Sequence, residues 1–192
     1  HCESSAASDV YKRQLLGIPK DKALEYASLL KSVRGRFEYV IINDITAIVD
    51  YAHTPDALKN VIETINDIRT GNDSLITVVG CGGDRDSKKR PLMGQISSSL
   101  SSKVIFTSDN PRSEPAELII DQMNLGVSPV DFKKVLSISS REEAIKTACQ
   151  LARPKDIILI AGKGHETYQE INGKKNHFDD YEIVKNYLTK II

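Results

Sequence analysis

Neither sign of charge prevails in this sequence: 26 Lys and Arg stand against 26 Asp and Glu, a formal net charge of +0 over 192 residues. That balance removes the broad basic face of a nucleic-acid binder and the cationic surface that holds a protein on an anionic membrane. Any charged ligand must be met locally. Long apolar runs are missing too. None approaches the roughly 20 residues that a membrane-crossing helix requires, and the first residues lack the charged-then-apolar layout of a secretion signal. The expectation is a cytoplasmic protein with no nucleic-acid or membrane partner. Cysteine is scarce: Cys2, Cys81 and Cys149 are odd in number and form no Cys-x-x-Cys or Cys/His spacing. This argues against a disulfide framework or a structural zinc site and leaves reduced thiols. His1, His53, His165 and His177 lie far apart in the chain, so no metal site is expected.

Length allows one domain with a good core, plus a piece of another. The opening HCESSAASDVYKRQ is polar and without hydrophobic period, then gives way abruptly to LLGIPK. Residues 1–14 are therefore expected to be an artefactual or disordered terminus, outside the fold. From Pro19 to about Lys31, Leu24, Ala27, Leu29 and Leu30 recur near helical spacing, with Gly35 beyond the end. This predicts a short helix before a junction at VRGRFEYV. Gly35, between Arg34 and Arg36, serves there as a C-cap and turn, or as a hinge.

Beyond the junction a pattern repeats: a β-branched apolar run, a polar loop, a helical segment. The runs are EYVIIND, ITAIVDYA, SLITVVGC, KVIFTS, KVLSIS and DIILIAG. Helices are predicted over Pro55–Arg69, Arg90–Leu100, Pro115–Met123, Arg141–Ala152 and Tyr181–Thr189. Near-continuous Val and Ile, instead of clean alternation, marks strands covered on both faces. The fold class is α/β, a doubly wound, mostly parallel sheet with helices on both faces. Ligands in such sheets bind beyond the carboxyl ends of the strands, which makes the loops there the candidates.

In VDYAHTPDAL, helix capping accounts for Thr54, Pro55 and Asp56. It does not account for Asp50 and His53, where a carboxylate can take ribose hydroxyls and an imidazole can face a nucleotide. In VVGCGGDRDSKKRP, Gly80, Gly82 and Gly83 permit tight turns that aim N–H groups at an anion. Arg85, Lys88, Lys89 and Arg90 supply positive charge, and Arg85, flanked by Asp84 and Asp86, is the stronger candidate for a carboxylate contact. This loop is neither GxGxxG nor GxxxxGK[ST]. In LIAGKGHETYQ, Gly162 and Gly164 allow close backbone approach, and Glu166 can accept from an ammonium group. In SDNPRSEP, Pro111 fixes the backbone, Arg112 can fork a carboxylate, and Asp109 and Asn110 can receive or orient an amine. Each loop also has a plain reading as a turn or surface ion pair. Together at one sheet edge they suggest a pocket for a small zwitterion.

GRFE, VDYAHTPDAL, GCGGDRDSKKRPLMG, SDNPRSEP and AGKGHETYQ, in this order over residues 34 to about 181, resemble the C-terminal domain of the Mur ligases. The likeness is to the branch that adds the third residue of the peptidoglycan stem peptide. It implies ATP-dependent amide synthesis through an acyl phosphate on UDP-N-acetylmuramoyl-L-alanyl-D-glutamate, attacked by the amine of meso-diaminopimelate. It implies that Asp109, Asn110, Pro111 and Arg112 form the selectivity loop for diaminopimelate, with Arg85, Gly162 and Glu166 as further contacts. Arg36, Asp50 and His53 match positions facing ATP. Residues 15–35 would then end the ATP-binding central domain and its hinge, and residues 36–192 would be the C-terminal amino-acid-binding domain. The sequence departs from the family pattern at Arg34, where proline is usual, and at Tyr181 in HFDDYE. The sequence has no GTKGKT-like phosphate loop, and the resemblance places that loop, with the metal-binding set, upstream. So ATP and Mg2+ belong to the full-length enzyme, neither a metal site nor a catalytic residue is expected within this fragment, and the fragment is expected to be inactive alone and to bind no cofactor. A lysine-adding relative, folylpolyglutamate synthetase and a stand-alone small-molecule-binding module are the alternatives.

Overall fold

A computed structural model of the chain describes residues 33–190. The helix expected over Pro19 to Lys31 and the terminus expected over 1–14 fall outside them. The main sheet holds β1 (Glu38–Ile42), β2 (Ile45–Asp50), β3 (Leu75–Val79), β4 (Lys103–Phe106), β5 (Val135–Ser137) and β6 (Ile157–Ala161). They lie side by side in the order β1-β2-β6-β3-β4-β5, and every neighbouring pair is parallel except β1 with β2. That exception is a tight hairpin through Asn43 and Asp44, whose φ values of 53° and 61° give the doubly left-handed turn that matches strand twist. As an antiparallel edge, β1 leaves Tyr39 and Ile41 exposed.

The helices are α1 (Pro55–Ile68), α2 (Lys89–Leu100), α3 (Ala116–Asn124), α4 (Arg141–Leu151) and α5 (Asp180–Lys190). Successive side chains of a strand point to opposite faces, so β3 feeds two cores. Leu75 and Val79 pack with Leu58, Ile62, Met93, Phe106 and Ile119, under α1, α2 and α3. Ile76 and Val78 pack with Ile145, Cys149, Val184 and Leu188, under α4 and α5. The unbroken apolar runs read from the sequence are the sum of these two interleaved sets. No helix among the described residues is long and apolar enough to cross a membrane.

β3 and β6 are parallel neighbours, yet the chain leaves β3 for α2 on one face and reaches α5 on the other face after β6. Diverging connections leave a crevice beyond the carboxyl ends of these strands, where the glycine loops after Val79 and Ala161 begin. Over it stands a second hairpin, β7 (Tyr168–Ile171) and β8 (Lys174–His177), which the apolar-run reading does not find. Its turn residues Asn172 and Gly173 have φ of 49° and 74°, the Asn-Gly signature of a two-residue hairpin.

Candidate functional site

The DNPR loop leaving β4 is held from three directions. From beneath comes Lys163, fully buried, with Nζ 2.9 Å from Asn110 Oδ1 and 3.5 Å from both Asp109 Oδ1 and Glu166 Oε2. Asn110 Nδ2 in turn donates to Glu166 Oε2 at 2.8 Å. From the β7–β8 hairpin, Gln169 Nε2 donates to the Asp109 carbonyl at 2.8 Å and Glu170 N to Asn110 Oδ1 at 2.9 Å. Arg112 N donates to the Glu170 carbonyl at 3.1 Å, and Asn172 N donates to the Arg112 carbonyl at 2.8 Å. From the glycine loop, Gly83 N donates to the Asn110 carbonyl at 2.9 Å and Arg112 Nη1 to the Gly83 carbonyl at 2.8 Å. A Cβ on Gly83 would lie 1.9 Å from the Pro111 carbonyl oxygen, so this approach requires glycine. Arg112 sits at φ 53°, a region that costs a non-glycine residue about 1–3 kcal/mol and persists where neighbours enforce it. Here the hairpin and glycine loop enforce it.

Arg90 departs from the expected basic run. It is 1% exposed, forks Glu114 with Nη1 and Nη2 each at 2.8 Å, and also reaches Gln122 and the Gly82 carbonyl. The hydrogen bond from Arg90, with a second from Asp84 N, lowers the Glu114 carboxyl to about 2. Asp84 turns to Ser113, accepting from its hydroxyl at 2.6 Å. Arg90 and Asp84 thus tie two loops together and offer nothing to a ligand. Helix phase explains Arg90: it falls with Met93, Gly94 and Ser97 on the buried face of α2.

A cleft of about 450 Å3 opens above this scaffold, lined by Gly82, Arg85, Lys89, Asp109, Asn110, Arg112, Gly162, Glu166 and Tyr168, and continuing to Tyr51 and His53. Six of the seven residues expected to contact the amino acid therefore share one cleft; Pro111 lines a different cavity on the far side of its loop. Arg85 is exposed and, among the described residues, makes only a 3.4 Å contact with its neighbour's carbonyl, leaving its fork for a ligand. Arg112 keeps donors beyond those used on carbonyls, with Nε 3.5 Å from Glu170 Oε2. Asp109 and Asn110, expected to receive an amine, meet Lys163's own. Gly162 has φ 122°, and a Cβ there would lie 2.7 Å from Asp109 Oδ2.

The residues expected to face a nucleotide gather around Tyr51. Arg36 lies over its ring at 5.4 Å, and the rings of His53 and His165 are 4.5 and 5.1 Å away. Asp50 works locally: Oδ2 accepts from Phe37 N at 2.8 Å and Oδ1 from Ala52 N at 2.9 Å. Each oxygen retains a lone pair for a hydroxyl. An exposed cation, an aromatic face and a half-buried carboxylate fit a nucleotide. Among the described residues no group of three or more His, Cys, Asp and Glu could hold a metal ion. Gly35 (φ 71°) and Gly164 (φ 53°) interlock: a Cβ on the first would lie 2.0 Å from His165 N, and one on the second 2.7 Å from the Gly35 carbonyl oxygen. Arg34, the departure from the family pattern, pairs with Asp179.

The other cavity, about 630 Å3, lies between the starts of α3 and α4. It is the larger, but its charged groups are already satisfied. Glu117 bonds its own backbone N–H and Ser139, and Arg141 is paired to Asp180. The smaller cleft is the candidate site because the uncommitted charges converge there. Reading the sequence loop by loop missed Lys163, Tyr51 and the hairpin residues Gln169 and Glu170. The Asn172-Gly173 pair was the available signal for the last two; nothing local announces that Lys163 turns inward.

A model of the "Mur ligase, glutamate ligase domain" matches residues 35–164. UDP-N-acetylmuramoyl-L-alanyl-D-glutamate--2,6-diaminopimelate ligase of Cytophaga hutchinsonii is 56% identical over 91% of this chain and 36% of its own length. That of Phocaeicola vulgatus is 53% identical over 90% and 36%. A solved structure of a ligase of the same name superposes with a TM-score of 0.76 at 39% identity, covering 93% of this chain and 36% of the other. A folylpolyglutamate synthase from Thermotoga maritima, at 21% identity and TM-score 0.59, shares the fold. The chain spans about 36% of the length of the curated relatives it matches. With a family model across both glycine loops and the DNPR turn, and half of all positions shared with such relatives, the chain belongs to the Mur ligase family and carries its glutamate ligase domain.

Proposed function

We propose that this domain binds meso-diaminopimelate for an ATP-dependent ligase that joins it to UDP-N-acetylmuramoyl-L-alanyl-D-glutamate. One observation carries the reading: Arg85, Asn110, Arg112, Gly162 and Glu166, from three separate loops, line one cleft. Two guanidinium groups, Arg85 and Arg112, line a space that also holds the Glu166 carboxylate, which matches a ligand with carboxylates and an ammonium. Diaminopimelate carries a carboxylate on its distal centre, which lysine lacks, so a planar fork rewards the former and is left unpaired by the latter. ATP, when bound, supplies the phosphoryl group that activates the acid. On this chain Arg36, Asp50 and His53 are the residues to meet it, beside Tyr51. We take residues 15–35 as the end of the ATP-binding central domain and its hinge, residues 36–192 as the amino-acid-binding domain, and Mg2+ as a requirement of the complete enzyme.

In the complete enzyme, Arg112→Lys should reduce diaminopimelate turnover by about 100-fold, since an ammonium cannot reproduce the fork. Turnover equal to the parent's would overturn the assignment. The 192 residues by themselves, given ATP, the UDP-linked dipeptide and diaminopimelate, should show no steady amide synthesis, measured as phosphate release.

A further inference from the structure

Lys163 has a place beneath the cleft that its own motif does not explain. Its side chain is fully buried between two glycines of positive φ, Gly162 and Gly164. It touches Asp109 and Asn110 of the selectivity loop and Glu166. What this does to Asn110 follows from counting lone pairs. An amide oxygen accepts two hydrogen bonds, and an amide nitrogen gives two. Asn110 Oδ1 takes one from Lys163 Nζ and one from Glu170 N, each at 2.9 Å. Both of these partners can only donate, and Glu166 Oε2, on the nitrogen side at 2.8 Å, accepts. The orientation of the amide is therefore over-determined, where an isolated Asn would be free to flip. Its oxygen is saturated, and its nitrogen retains one hydrogen with no partner among the described residues.

We propose that Lys163 is a positioning residue that holds Asn110 as a hydrogen-bond donor, so that Asn110 and Arg112 together read the ligand's distal carboxylate while Glu166 is left to take its ammonium. The proposal rests on the functional reading above and sharpens it. Asn110 does not receive an amine, because its oxygen is occupied by the protein's own. Lys163 also sits between Asp109 and Glu166, balancing two carboxylates that would otherwise face each other across the floor of the cleft. Without it, Asn110 Oδ1 loses one of its two donors and is held by Glu170 N alone, so the amide is freer to turn its oxygen to the ligand, which repels a carboxylate and welcomes an amine. The preference between diaminopimelate and lysine should then fall without any change at Arg112.

The test joins a kinetic and a spectroscopic arm. In the complete enzyme, Lys163→Met should raise KM for meso-diaminopimelate by about tenfold or more and shrink the diaminopimelate-over-lysine ratio of kcat/KM by a similar factor. KM for ATP and for the UDP-linked dipeptide should stay within about twofold, which general loosening of the domain would not allow. An unchanged ratio, or equal losses for all substrates, overturns the proposal. Should that variant fail to fold, the wild-type chain still decides. In its NMR spectra the Asn110 side-chain amide protons should show contacts to Glu166 and slowed exchange, and contacts to Lys163 instead would overturn the assigned orientation. Failure of the functional reading looks different: a wild-type enzyme that does not prefer diaminopimelate removes the ligand, while the amide contacts still report whether Lys163 holds Asn110.

Discussion

Arg141 and Lys163 are both hidden from solvent, but they keep different company. Arg141 opens α4 and meets Asp180 at the start of α5 through two 2.8 Å bonds, Nε to Oδ1 and Nη2 to Oδ2, with both side chains at 0% exposure. Its Nη2 also reaches the Ala161 carbonyl at 3.1 Å. That cluster is closed. Lys163 instead has one close bond and two at 3.5 Å, to carboxylates whose side chains are 8% and 20% exposed. Its partners face the cleft on their other sides. The contrast teaches how to tell a buried charge that fastens two helices from one that holds binding groups in position: the first has spent its partners, and the second leaves them capacity for a ligand.

The largest test of this contrast is Asp180→Ala. Breaking a buried pair strands the remaining charge, so urea unfolding should show a loss of about 3–5 kcal/mol. Lys163→Met should cost distinctly less, because water can reach Asp109 and Glu166. Equal losses would erase the distinction. Next comes Gly83→Ala, whose Cβ would collide with the Pro111 carbonyl oxygen at 1.9 Å. It should destabilise by about 1–3 kcal/mol and weaken diaminopimelate binding, whereas a substitution at the Arg141 end should leave binding intact in whatever fraction remains folded.

A smaller effect is expected in acid. The Arg90 hydrogen bond lowers the Glu114 carboxyl from 4.5 to about 2. A folded value below the unfolded one means the stabilisation is fully present above about pH 4.5 and is lost as pH falls through about 2. Glu114→Gln should flatten the stability profile across that window and leave it unaltered near neutrality in slope, though not in height. The smallest effect is a chemical one. Burial pushes the Cys81 and Cys149 thiols up to about 12, so alkylation at pH 8 should be slow for both. Cys81 lies in the loop behind the cleft and Cys149 on the helix of Arg141. Faster labelling of Cys81 would report that the cleft side opens more readily, and equal slow rates would make the two neighbourhoods alike.

The sheet body was legible because its signal is local. Runs such as LITVV and IILIA state their own burial, and Thr54-Pro55 marks the start of α1 by capping chemistry, with Thr54 Oγ1 accepting from Ala57 N at 3.3 Å. The cleft residues were legible as a set, from glycines and charges at strand ends. Their roles were less so, because roles depend on partners far away in the chain. Asp109 and Asn110 look free until Lys163 is brought beneath them. Asp50 looks wholly free until Phe37 N and Ala52 N are counted, which leave one lone pair on each oxygen. Arg90 looks like the end of a solvated run until helix phase turns it inward. The hairpin after Thr167 was hidden for another reason. Its residues are mostly polar, with Tyr168 and Ile171 the exceptions, since it packs on a loop and not on a core.

That hairpin sets a timetable. Gln169 and Glu170 grip the DNPR loop across 60 residues of intervening chain, and Lys163 does so across 53 and 54. Domains are made from the amino end at about 5–20 residues per second, so Asp109 and Asn110 emerge from the ribosome well before Lys163 and the hairpin exist to hold them. The sheet can pair β3 with β4 at that stage, but β6 has not yet been made. The DNPR loop therefore acquires its shape late, and a nascent chain halted before Lys163 would carry the charges of that loop with neither Lys163 nor the hairpin to hold them.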